Sequence, residues 1–188
     1  MRRADGVKIA VFRKGRAHSK LIRAAAHAHV GATMNNKEIK KLIDDFVEFI
    51  DAGSKRSIDR EKSLMLLLDS LGLSQAYINY NFDEKDYPDP PTENEKIIRE
   101  RISKNFSDFG YYNYADDIED KVAETDTIVG DAIDDLVDIY KEISEVRWRW
   151  ENTSIEDALF HYDTMYKSHW GCHLRNLQLY VFSKQYGP

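Results

Sequence analysis

"DAIDDLVDIYKEI", residues 131–143, sets Ile133, Leu136, Val137, Tyr140 and Ile143 at spacings of three and four. That recurrence follows the turn of an α-helix and not the alternation of a strand. The stretch reads as an amphipathic helix. Its polar side carries Asp131, Asp134, Asp135 and Asp138, one stripe at about 100° per residue. Neighbouring like charges on a helix cost roughly 0.2–0.5 kcal/mol per pair, so something must offset them. A start near Gly130 would put Asp131 and Asp134 in the first turn, where unpaired N–H groups and the helix dipole favour anions. Asp135 and Asp138 are then expected to face water, with the whole stripe opposite the apolar side.

The same period extends in both directions. Upstream, "NKEIKKLIDDFVEFIDAG" places Ile39, Leu42, Ile43, Phe46, Phe49 and Ile50 on one helical face, and Leu64, Leu67, Leu68, Leu71 and Ala76 mark a second. Pro88, Pro90 and Pro91 interrupt the pattern, because proline lacks the N–H that a helix interior requires. Thr92 to Glu95 has the form of a capping box and opens a short helix with Ile97, Ile98 and Ile102. "YYNYADDIED" is aromatic and acidic and has no assigned conformation. Two long helices close the chain, roughly 127–150 and 154–184, the second begun by Ser154 with Asp157 three later. No alternating pattern is long enough to build a sheet. The fold class is all-α: a single-domain bundle of about five helices, the last two long and antiparallel.

Charge divides the chain unevenly. Residues 1–33 hold eight Lys or Arg against one acid, a net of +7, whereas residues 34–188 hold 19 basic and 32 acidic residues, a net of −13. We read 1–33 as a basic leader, disordered or the product of a start codon assigned upstream of Met34, with an organellar presequence or a basic arm as the alternatives. Residues 34–188 are the acidic helical domain. Its charge disfavours nucleic acid. One cysteine, Cys172, forms no disulfide within a chain, so a reducing cytoplasm is the expected compartment. The absence of a long apolar run argues against a membrane span.

The last helix carries "SHWGCH" at 168–173. On an unbroken wheel His169 and His173 share a face with Tyr162, Trp170, Leu174 and Leu177, so both imidazoles are expected in the core, hydrogen-bonded to Asp, Glu or Tyr. A spacing of four lets two imidazoles converge on one ion, but Trp170 stands where a zinc protease has its glutamate base. His161 and Cys172 point about 100° or more away on the same wheel. Cys172 and His173 are adjacent and diverge, which disfavours a nucleophile–base pair. The three Trp and eleven Tyr are expected to pack the core with their polar atoms reaching partners at its rim.

"DDLVDIY" at 134–140, followed by "HWGCH" at 169–173 and the apolar end "LRNLQLYVF", resembles the bacterial family known as domain of unknown function 5063. Val137 stands where that family usually has alanine, and the resemblance spans about 36–184. It implies a helical bacterial domain and no particular chemistry. Of two functions the sequence favours the first, because the wheel turns the aspartates away from the apolar side. The first is an interaction or regulatory module that presents Asp131, Asp134, Asp135 and Asp138 to a basic protein partner, with no cofactor and no catalytic residue. The second is a metal-dependent enzyme, a hydrolase of phosphorylated small molecules, with a divalent ion held by His169, His173, Asp134 and Asp135. The distance between those carboxylates and those rings separates the two.

Overall fold

The computed structural model describes residues 34–52, 57–120 and 122–187. Residues 1–33, and with them the expectation for the basic segment, lie outside the described residues. Helix α1 (Asn36–Ala52) buries Ile39, Leu42, Ile43, Phe46, Val47 and Ile50, an i, i+3, i+4 stripe. Lys40–Asp44 and Lys41–Asp45 pairs line its other side one turn apart. Helix α2 (Ser57–Ser74) contributes Leu64, Leu68 and Leu71, all fully enclosed. It stops at Ser74, so Ala76 falls in a 3₁₀ turn at Gln75–Tyr77 and is exposed, against expectation.

Helix α3 (Glu95–Asn105) starts later than the Thr92 box predicts. Asn94 is its N-cap, with the side-chain oxygen accepting from Lys96 N at 3.0 Å. It buries Ile98 and Ile102.

An antiparallel hairpin follows, which the sequence pattern did not lead us to expect. Strand β1 (Tyr111–Ala115) pairs with β2 (Thr127–Asp131), in a register that sets Tyr112 opposite Gly130 and Tyr111 opposite Asp131. Thr127, Ile128 and Val129 are β-branched and prefer this pleated ribbon to the first turn of a helix. Helix α4 (Ala132–Asn152) therefore begins five residues after the expected start, and Asp131 caps it, accepting from Ile133 N at 3.0 Å. The short charge stripe thus has one member committed to the helix end.

Thr153 turns the chain, and Ser154 Oγ accepts from Asp157 N at 3.1 Å to start helix α5 (Ile155–Met165). A π-turn (Tyr166–Trp170) joins α5 to helix α6 (Gly171–Tyr186). These three pieces form one rod antiparallel to α4, as the pairs Arg149–Asp157, Glu142–His169 and Asp135–His173 show. Counting that rod once, the described residues form an all-α bundle of five helices with a two-stranded appendage. No helix among them is long and apolar enough to cross a membrane.

One apolar core runs through all the helices. Tyr162, fully buried, follows the expected rule for rings with a polar atom: its hydroxyl lies 2.7 Å from Ser74 Oγ and 3.1 Å from the Leu71 carbonyl oxygen. Trp170 departs from it. The ring is fully enclosed with Tyr162 and Tyr166 edge-on to it, and its Nε1 has no hydrogen-bond partner among the described residues. Replacing Leu68 with alanine leaves a void that its helical neighbours cannot fully close. Urea denaturation of Leu68→Ala is expected to show a loss of about 2–5 kcal/mol; a loss below about 1 kcal/mol would show that α2 is not held by this core.

Candidate metal centre

The two helices that the charge and histidine motifs occupy lie side by side, and the motifs meet along their seam. From α4 come Asp135, Asp138, Glu142 and Glu145, at spacings of three, four and three. From the rod come His161, His169 and His173. His173 Nδ1 lies 2.8 Å from Asp135 Oδ1, and His169 Nδ1 lies 2.8 Å from Glu142 Oε1. His161 Nε2 approaches Glu142 Oε2 at 3.1 Å, and its Nδ1 faces Glu145 Oε1 at 3.5 Å.

Asp131 and Asp134 stand at the helix start and the histidines are hydrogen-bonded to Glu and Asp, as expected. Asp135 and Asp138, however, are turned out of solvent, and the two imidazoles lie at the rim of the core instead of inside it. Asp135 is buried at 6% exposure, and its carboxylate is also the acceptor of the Tyr112 hydroxyl. The imidazoles are half-buried, the side chains of His169 and His173 being 38% and 26% exposed. The reason lies in the π-turn. In an unbroken helix at about 100° per residue, His169 and His173 would stand roughly 80° and 120° round from His161. One residue more in the turn takes back about 100°, bringing all three into line facing α4. Gly171 N–H donates to the Tyr166 carbonyl oxygen to close this turn, and a Cβ at Gly171 would collide with that same oxygen. The glycine in "HWGCH" is thus the residue that allows its two histidines to face the carboxylates.

The hairpin contributes in the same way. Tyr112 reaches Asp135 by crossing the face of Gly130, where a Cβ would stand 2.5 Å from the Tyr112 ring. Burial and the Asp135 carboxylate together push the Tyr112 hydroxyl far above its ordinary pKa, so it stays a donor.

The four aspartates are therefore divided. Asp131 and Asp134 share Arg99 from α3, at 2.5 and 2.6 Å. Asp135 is an inner hydrogen-bond acceptor. Asp138, 22% exposed, faces His173 Nε2 at 3.7 Å. Of the ion ligands expected from the sequence, His169 and His173 come together, but with Asp138 in place of Asp134 and Asp135. One potential ligand atom from each of Asp138, His169 and His173 lies within 4.8 Å of the other two, and this is the only such group of three among the described residues. Cys172 is exposed and its thiol donates to the His169 carbonyl oxygen at 2.9 Å.

Electrostatics at the seam follow from these contacts. The hydrogen bond to Asp135 raises the pKa of His173 against the opposing effect of burial. Burial raises Asp138 despite the attraction of His173. Glu142 is held low: burial alone would raise it, but donation from His161 and His169 prevails. Because the two Nδ1 atoms are engaged by carboxylates, each ring has Nε2 left for an ion, and a carboxylate behind a ligating imidazole fixes its tautomer and strengthens it as a ligand. His161 has both nitrogens facing carboxylate oxygens, so it braces Glu142 instead. Two imidazoles and one carboxylate suit zinc or another divalent transition ion, with further positions left for water or substrate.

Glu142, His161, Tyr112 and Arg99 were not among the site residues that the sequence pointed to. The D-x-x-D-x-x-x-E spacing of Asp135, Asp138 and Glu142 is visible there, but the line of histidines is not, because the π-turn leaves no mark beyond Gly171.

The family described as "Domain of unknown function (DUF5063)" matches residues 32–181 of the chain. The crystal structure of protein BF1032 from Bacteroides fragilis is similar in fold, with a TM-score of 0.67 and 17% identity, over 82% of this chain and 94% of that one. No curated protein matches.

Tyr112→Phe removes one donor from a buried carboxylate. Its unfolding free energy is expected to fall by about 1–3 kcal/mol in chemical denaturation; an unchanged value would mean that Asp135 is satisfied without the hairpin.

Proposed function

The chain belongs to the DUF5063 family, and we propose that it is a metal-dependent protein, a helical bundle that holds one divalent transition-metal ion between Asp138, His169 and His173. The reading starts from the pair of 2.8 Å contacts that tie both Nδ1 atoms to carboxylates of α4. Packing histidines would be hydrogen-bonded too, so the observation that carries it is Asp138, which brings a third ligand atom within 4.8 Å of one from each ring. The site has three protein ligands and is part-exposed, which is the pattern of a catalytic ion and not of a closed structural one. An ion held there would polarise a phosphoryl or carbonyl oxygen or deprotonate a bound water.

The alternative, an acidic face offered to a basic protein partner, has less to rest on. Arg99 already matches Asp131 and Asp134, and Asp135 is enclosed. Lys141 stands 4.0 Å from Asp138. Only Asp134 keeps a side chain more than half exposed, at 58%.

Calorimetric titration of chelator-treated full-length chain with Zn²⁺ or Co²⁺ tests the proposal. One ion per chain is expected, with binding abolished by His173→Gln or Asp138→Asn and weakened about 10–100-fold by Glu142→Gln, which touches His169 but not the ion. Gly171→Ala is expected to weaken binding while circular dichroism retains the helical signal. No uptake, or uptake indifferent to all four substitutions, would contradict it.

A further inference from the structure

Beside the seam, α4 walls a second feature. A cavity of about 550 Å³ lies between α4 and the segment that precedes α3. Pro90, Pro91, Ile98, Tyr140 and Trp148 supply its apolar walls, and Lys141 is its one cationic member, with the carboxylates Glu93 and Glu145 in the same lining. This volume is within the roughly 300–1,000 Å³ typical of small-molecule sites, which combine apolar walls with a few polar groups. Two proline rings and two aromatic side chains favour a flat apolar body over a flexible chain.

Lys141 belongs to both features. It lines the cavity, and its Nζ is 4.0 Å from Asp138 Oδ1, a ligand of the proposed ion. Its nearer partner is Glu95 Oε2 at 2.6 Å, where the two side chains are 39% and 63% exposed. An ion pair that exposed contributes little, so an anionic group of a ligand can replace Glu95 at modest cost. Glu145 borders the cavity as well, and it holds His161, which braces Glu142. The cavity and the ion site are thus neighbours along one helix.

Building on the metal-centre reading, we propose that this cavity is the substrate pocket of that centre, and that it takes a small molecule with a flat apolar body and an anionic oxygen group such as phosphate or carboxylate. The flat body lies against Trp148 and the prolines. Its anionic group pairs with Lys141, whose Nζ is 4.0 Å from Asp138 Oδ1, and so lies next to a ligand of the ion.

The test uses the full-length chain in two stages. Zinc uptake is measured first, so that failure of the centre is seen before any ligand is added. The zinc-loaded protein is then titrated calorimetrically with 1-naphthylmethylphosphonate, a probe whose C–P bond does not hydrolyse. Saturable binding is expected, at least tenfold weaker for Trp148→Ala and for Lys141→Gln, with zinc uptake by Trp148→Ala unchanged. Methylphosphonate, which lacks the ring, and 1-naphthylmethanol, which lacks the anion, are each expected to bind at least tenfold more weakly than the probe. Removal of zinc is expected to weaken the probe as well. A chain that loads zinc but does not bind the probe, or binds it equally in both variants, overturns the pocket assignment and leaves the metal centre standing. A chain that takes up no zinc overturns both.

Discussion

Two carboxylates of α4, Asp135 and Glu142, each hold an imidazole of the antiparallel rod through Nδ1, and the arrangement of the seam depends on those two hydrogen bonds. A charged acceptor removed from water must find donors inside the protein, since an unsatisfied buried carboxylate costs far more than a satisfied one contributes. Asp135 meets that demand with Tyr112 and His173, and Glu142 with His161 and His169. Once both carboxylates are satisfied, the two rings have fixed orientations, and Asp138 stands close enough to both to complete the proposed ion site.

Other parts of the fold support that seam. The hairpin delivers Tyr112 across Gly130, and the π-turn closed by Gly171 rotates His169 and His173 towards α4. Trp170, between the two histidines in sequence, is driven into the core against Tyr162 and Tyr166, anchoring the turn by burial. Arg99 clamps Asp131 and Asp134 at the start of α4, offsetting the repulsion that a row of aspartates brings. Each device is local, but all of them position the same few side chains.

Much of the bundle is legible in the sequence because periodicity reports burial directly: the stripes of α1 and α4 and the cap at Ser154 are as the spacing predicts. The hairpin is not legible, since five-residue strands alternate too briefly to stand out beside an adjoining helix. The centre is half legible. Its residue types and their places on two successive helices follow from the sequence, but their directions do not. A helical wheel assumes an unbroken 3.6-residue turn, and a single π-turn between His161 and His173 is enough to change which groups meet. The aspartate stripe departs from the wheel for another reason: the rod packs along the flank of α4 and draws Asp135 out of solvent, a tertiary choice that no local pattern encodes.

The metal centre is tested most directly by a crystal structure of the zinc-loaded chain, with anomalous diffraction collected at the zinc edge. One anomalous peak is predicted on the α4–rod seam, about 2.0–2.2 Å from a carboxylate oxygen of Asp138 and from Nε2 of both His169 and His173. A loaded crystal with its peak elsewhere, or with the two imidazoles bound to zinc through Nδ1 and detached from Asp135 and Glu142, would contradict it.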